Sequence, residues 1–230
     1  MRDAETLDPS DVADRRLFRC VITVGILLFL AIWAVVPNIG PTFRSFYSAS
    51  ASMEPTIEYR QTVYANRLAY GLSRHSYEWF PLPISGRWPN LEPIRGDVIV
   101  FIAPNGSDHL ARVIGLSGDH VKLDHDKLWI NGEPVSRVLT PSVVYSGRQI
   151  IREHLPEGRS FTHYETVIGF GETPPPLATT STFVVPAHHI FVMGDNRDNA
   201  ADSRLAPEKG GVGFVPVENI IGRIEFVYDR

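Results

Sequence analysis

Two hydroxyls open the chemistry of this chain. Ser50 and Ser52 stand one residue apart in Ser50-Ala51-Ser52-Met53-Glu54-Pro55-Thr56, shortly after a long apolar run. A serine hydroxyl attacks a carbonyl only where a base takes its proton and donors hold the oxyanion that forms. A serine alone carries no function, so its surroundings must decide. The other chemistry-bearing clusters read as structure. Asp195-Asn196-Arg197-Asp198-Asn199 has acidic spacing like that of a calcium loop, but Arg197 occupies a ligand position and Ala200 stands where glycine is required. Gly118-Asp119-His120 to Asp124-His125-Asp126 has the mixed spacing of a solvated hairpin rather than of a metal site. His188-His189 reads as a loop pair. No cofactor and no metal are expected.

Positioning these residues falls to short strands. Val98 to Ala103 is a buried-strand pattern opened by Gly96-Asp97 and stopped by Pro104-Asn105-Gly106. His109 to Leu116 reads as a second strand. Val121–Leu123 and Leu128–Ile130 form a short hairpin, with Asn131-Gly132 a strong turn signal after it. Phe183–Val185, Ile190–Met193 and about Ile220 to Tyr228 complete the set. Glu172 to Thr182 is a Pro/Thr-rich surface excursion. Leu68 to Trp88, rich in aromatic residues and proline, reads equally as a loop packed on the sheet or as a patch at the membrane interface. With 18 prolines and 18 glycines in 230 residues, turns are many and long helices few. The fold class is therefore all-β.

Cys20 to Val36 is an uncharged apolar run that as a helix spans roughly 25 Å, close to a bilayer core. Leu17 and Phe18 extend it, and Pro37 ends it. Arg15, Arg16 and Arg19 precede it while only Arg44 follows closely, which places the N-terminus in the cytoplasm. The expected organisation is a cytoplasmic segment over 1–16, one transmembrane anchor over 17–37 and an exported domain over 38–230. A cleaved signal peptide ending at Ala49-Ser50-Ala51 is the rival, but the apolar run lies too far from that site. The net charge of −4 without a basic stripe excludes nucleic acid as partner. A single cysteine, Cys20, excludes an intrachain disulfide.

The Ser50–Thr56 stretch resembles the S-x-S-M-x-P-T block of the type I signal peptidases, which also follows an anchor. Further blocks match in order: Arg95-Gly96-Asp97 with its apolar run, Arg112-Val113-Ile114-Gly115-Leu116-Ser117-Gly118-Asp119, Gly194-Asp195-Asn196-Arg197-Asp198-Asn199 through Asp202-Ser203-Arg204, and Gly213-Phe214-Val215-Pro216 before Ile221-Gly222-Arg223. The resemblance implies a signal-peptidase-type antiparallel β domain behind one membrane helix. It implies a Ser/Lys serine endopeptidase that removes signal sequences from exported preproteins at the outer face of the cytoplasmic membrane. Its partners would be those signal sequences and the lipid bilayer. Ser52 takes the nucleophile's position and Ser50 the oxyanion-hole hydroxyl, with Arg112, Asp202 and Arg204 supporting the site.

Two positions depart from that pattern. The family's general-base lysine directly precedes the arginine matched by Arg112, and here that position is Ala111. The serine that orients the lysine is Ala200. General-base catalysis is typically worth roughly 10²–10⁴ in rate. One reading gives the role to His109, which shares a strand face with Ala111 at roughly 6.6 Å along the strand. A second is a catalytically weak or inactive paralogue that binds signal peptides or a membrane partner, and a third is a substitution made to trap substrate.

Overall fold

The computed structural model of the chain describes residues 18–30, 42–77, 81–144, 147–167, 173 and 175–228. The chain divides into two units, 1–42 and 43–230. In the first, residues 18–30 form a helix. Among the described residues, no helix is long and apolar enough to cross a membrane. The expected anchor coincides with this helix over 18–30, and its remaining residues, 17 and 31–37, lie outside the described ones.

The second unit is a succession of short strands. In chain order they are β1 (Phe43–Tyr47), β2 (Thr62–Asn66), β3 (Leu72–Ser73), β4 (Arg87–Trp88), β5 (Val98–Ile102) and β6 (Asp108–Gly115). There follow β7 (His120–Asp124), β8 (Lys127–Ile130), β9 (Glu133–Pro134), β10 (Ser136–Val144), β11 (Arg148–His154) and β12 (Ser160–Thr166). The last are β13 (Phe183–Val184), β14 (His189–Met193), β15 (Val215–Pro216) and β16 (Ile220–Tyr228). The largest sheet has seven strands in the order β1-β2-β16-β5-β6-β14-β15, all pairings antiparallel. Beside it lie a three-stranded sheet β10-β11-β12, a four-stranded sheet β13-β7-β8-β9 and the two-stranded pair β3-β4.

The central strand β5 shows why the apolar run lacks alternation. Ile99 and Phe101 pack into one cluster with Ala111, Val113, Ile190 and Ile220. Val100 packs into another with Phe46, Met53, Ile57 and Val63. A strand covered on both faces needs apolar side chains at every position. The antiparallel register sets Ile99 opposite Ala111 and Phe101 opposite His109. These pairs put Ala111 and His109 on one face of the sheet, as their spacing requires.

Three details differ from the sequence pattern. Little apolar alternation marks β11 and β12 in advance, because beside Ile151 and Phe161 their inward positions include Glu153, His163 and Glu165, all buried. The Pro/Thr-rich stretch is no free excursion: Thr180 exchanges bonds with the Leu123 backbone, and Asp126 N donates to Ala178 O at 2.8 Å. In the 68–88 stretch the packed-loop reading holds around Arg87. Its buried guanidinium donates to the carbonyls of Tyr70, Gly71, Val217 and Ile220. Trp88 stays exposed, and Trp79 and Phe80 lie outside the described residues.

Candidate active site

Ser52 sits in a tight turn pinned from below. Met53 and Ile57 are fully buried, and Ile57 N donates to Met53 O at 2.9 Å. Two apolar anchors flanking a polar turn leave the serine half-buried and facing outward. Its Oγ lies 2.9 Å from Ser50 Oγ, a bond in which either hydroxyl can donate. The Ser52 backbone N–H also points at Ser50 Oγ, at 3.5 Å. The Ser50 hydroxyl thus stands within reach of both the Ser52 hydroxyl and the Ser52 N–H.

A second loop, 194–204, clamps this turn. Asn196 N donates to Ser52 O at 2.9 Å, and Asn196 Nδ2 donates to Ala51 O at 2.9 Å. Gly194 is required at the crossing point. A Cβ there would lie 2.4 Å from the Ala200 Cβ and 2.6 Å from Ser52 O. The loop is held in turn by an Asp202–Arg204 ion pair, with Arg204 Nε and Nη2 at 2.9 and 2.8 Å from the Asp202 carboxylate. Asp202 Oδ2 also accepts from Gly194 N at 3.1 Å, and Arg204 Nη2 donates to Arg197 O.

Arg112 supports the site from β6. It grips Asp195 with two nitrogens, at 2.8 and 2.5 Å, and donates to Gly96 O and Thr56 Oγ1. Thr56 Oγ1 donates to the same Asp195 carboxylate. Both charges are buried. This bidentate pair ties strand β6, the Ser52 turn and the 194–204 loop together. Asn196, Asp195, Gly194 and Thr56 were not singled out from residue chemistry. The signal that marks them is the Gly194-Asp195-Asn196 block itself.

One cleft of about 510 Å³ gathers the rest: Ser50, Ser52, His109, Ala111, Ala200 and Asp202 all line it. Its ionisable lining residues are Tyr47, Asp108, His109 and Asp202. Of these only His109 carries a basic nitrogen. His109 is half-buried, with its ring centroid 6.0 Å from that of Phe101. Burial holds its pKa below the usual 6.5, against the pull of neighbouring Asp108. The imidazole is therefore neutral at pH 7 and able to accept a proton. Ala111 is buried against the core, and neither it nor Ala200 offers a group that can take a proton.

A protein-family model described as signal peptidase, peptidase S26, matches residues 18–229. A protein of Rickettsia typhi named signal peptidase I is 35% identical over 193 residues, covering 80% of this chain and 70% of that protein. Signal peptidase I of Rickettsia akari is 31% identical over 226 residues, covering 94% of this chain and 79% of its own. A crystal structure of a signal peptidase I from Enterococcus faecalis is 28% identical, covers 58% of this chain and 97% of that one, and has a TM-score of 0.35. The family match extends across the sheet, the Ser52 turn and the clamping loop. The chain belongs to the signal peptidase family, peptidase S26.

Proposed function

We propose that the chain is a serine endopeptidase that removes N-terminal signal sequences from exported preproteins, with Ser52 as nucleophile. The observation that carries this reading is the Ser50–Ser52 hydroxyl pair opening into the cleft that His109, Ala111 and Ala200 also line. In the proposed mechanism the neutral His109 imidazole takes the Ser52 proton as Oγ attacks the scissile carbonyl. Ser52 N–H and the Ser50 hydroxyl, turned from Ser52 to the new oxyanion, hold the negative charge. The protonated imidazole returns its proton to the leaving amine, and water then releases the signal peptide from Ser52. Arg112, Asp202 and Arg204 keep the two loops in register.

The membrane part of the reading rests on residues 17–37. The helix over 18–30 is apolar on every side apart from Arg19 near its start, the pattern of a segment surrounded by protein or lipid. With three arginines before the run, we place the domain at the outer face of the cytoplasmic membrane.

Purified full-length protein incubated with a preprotein tests the proposal. Cleavage by the unaltered chain is expected, lost in Ser52→Ala and reduced at least 10²-fold in His109→Ala. The double change Ala111→Lys with Ala200→Ser is expected to raise the rate. Cleavage seen only after that change would contradict turnover by this chain and leave a peptide-binding member without catalysis.

A further inference from the structure

The three-stranded sheet β10-β11-β12 has two chemically opposite faces. Inward lie Ile151, Glu153, Phe161 and His163, all buried. Outward along β11 stand Arg148, Ile150, Arg152 and His154, alternating with the buried positions. The register sets Arg152 between Val138 and Thr162, and Ile150 beside Tyr164. The carboxylates of β11 and β12 are Glu153 and Glu165, and both occupy buried inward positions. Among the described residues, Arg152 has no carboxylate partner. Arg148 lies over the Tyr164 ring at 5.7 Å and likewise makes no ion pair there. In a chain of net charge −4, β11 presents cations outward while, among the described residues, the one carboxylate bonded at this face is Asp198, which accepts from Thr166 at the Arg148 end and leaves the Arg152 end without one.

This face also carries a groove of about 470 Å³, lined by Pro55, Val138, Leu139, Ile150, Arg152 and Thr162 among others. Val138 and Leu139 are 53% and 59% exposed, so the groove is apolar with a cation at its side. It adjoins the Ser52 turn directly. Pro55 is three residues past Ser52, a separation of at most roughly 11 Å. Tyr164 N donates to Asp195 O at 2.7 Å, one residue from the Asn196 that holds Ser52. The cleft at Ser52 and this groove share no lining residue. The cleft includes Phe46, Val100, Phe101, Leu110 and Val212, an apolar lining suited to the apolar end of a signal sequence. An extended polypeptide cut at Ser52 would then leave the cleft and reach the groove within about four residues.

We propose that the outward face of β10–β12 binds the polypeptide that follows the cleaved bond, and that Arg148 and Arg152 select acidic side chains there. The proposal rests on the signal-sequence reading of the cleft. It is tested by binding, so that loss of turnover does not intrude. Full-length protein carrying Ser52→Ala is titrated with two fluorescent peptides that share one signal-side sequence. They carry either aspartates or lysines at the third to sixth positions after the bond.

The expected result is about fivefold tighter binding of the aspartate peptide, the scale of two exposed ion pairs. In the double variant Arg148→Glu/Arg152→Glu the preference should reverse. A third peptide, ending one residue after the bond, should bind more weakly than the aspartate peptide. Equal affinity for the two long peptides overturns this proposal alone. Failure of every peptide to bind overturns the signal-sequence reading, and this proposal with it. Vesicles containing phosphatidylglycerol make the remaining arm. If the double variant loses vesicle binding while both long peptides bind the parent equally, the face serves lipid and not substrate.

Discussion

At the scale of single residues, the site holds one buried ion pair, and the proposed mechanism rests on one neutral ring. Arg112 and Asp195 are buried with two bonds between them, and Thr56 completes the carboxylate's partners. Removing one member leaves an uncompensated buried charge, which typically costs about 3–5 kcal/mol. Arg112→Ala should therefore lower the free energy of unfolding by about that amount in a urea titration of the full chain. Arg112→Lys should recover part of it, since it restores charge but not the two-pronged grip. His109 makes a different prediction. Its lowered pKa means that the neutral form persists as pH falls to 6.5 and below. If His109 is the base, the acid limb of kcat/KM lies below pH 6.5. A limb near or above pH 8 would assign the proton transfer to another group. Block resemblance singles out Ser52, Ser50, Arg112, Asp202 and Arg204 as the expected site, whereas the contacts of Asn196 needed the fold, because its two bonds reach 144 and 145 positions back along the chain, to Ser52 and Ala51.

At the scale of elements, the loop over 194–204 and the sheet behind it set the position of Ser52. Gly194→Ala should shift the backbone at the crossing of the two loops, where a Cβ has no room beside Ala200 and Ser52 O. The expected loss is about 1–3 kcal/mol of stability, with a fall in any cleavage rate that exceeds the fall in folded fraction. Behind the loop, Arg197 donates to Glu153 at 2.7 Å, and His163 lies between Glu153 and Glu165, wholly buried. Burial, reinforced by Arg197 and Arg137, pushes the His163 pKa well below 6.5. Below about pH 6.5 the folded state then binds fewer protons than the unfolded chain, so stability falls as pH falls. Glu165 acts in the opposite sense. Burial raises its pKa to about 7, so its ionisation costs stability as pH rises from about 4.5 through 7. The difference between parent and His163→Phe isolates the histidine: the gap in unfolding free energy between pH 8 and pH 5.5 should change by about 1.4 kcal/mol, with the variant less acid-sensitive. These polar inward positions are also why β11 and β12 were hidden from apolar patterning. By contrast, β5, β6, β7, β8, β14 and β16 were legible, since most of their inward residues are Ile, Val, Leu and Phe.

At the scale of the whole molecule, the described domain is a seven-stranded sheet with smaller sheets attached, and the Ser52 turn is anchored at one end of the strand order through Met53, Phe46 and Val63. The apolar run over 17–37 carries the expectation of a membrane anchor, and the described residues show a helix over 18–30 of it. Deleting residues 1–41 should move the protein from the membrane pellet to the supernatant at high salt; full retention in the pellet would mean that the β domain itself holds the bilayer. The central claim is cleavage by Ser52, and mass spectrometry of a preprotein incubated with full-length protein tests it most directly. The account predicts a single new N-terminus directly after the signal sequence, formed by the unaltered chain and absent with Ser52→Ala. The same product at the same rate from Ser52→Ala, or no product from the unaltered chain, would contradict it.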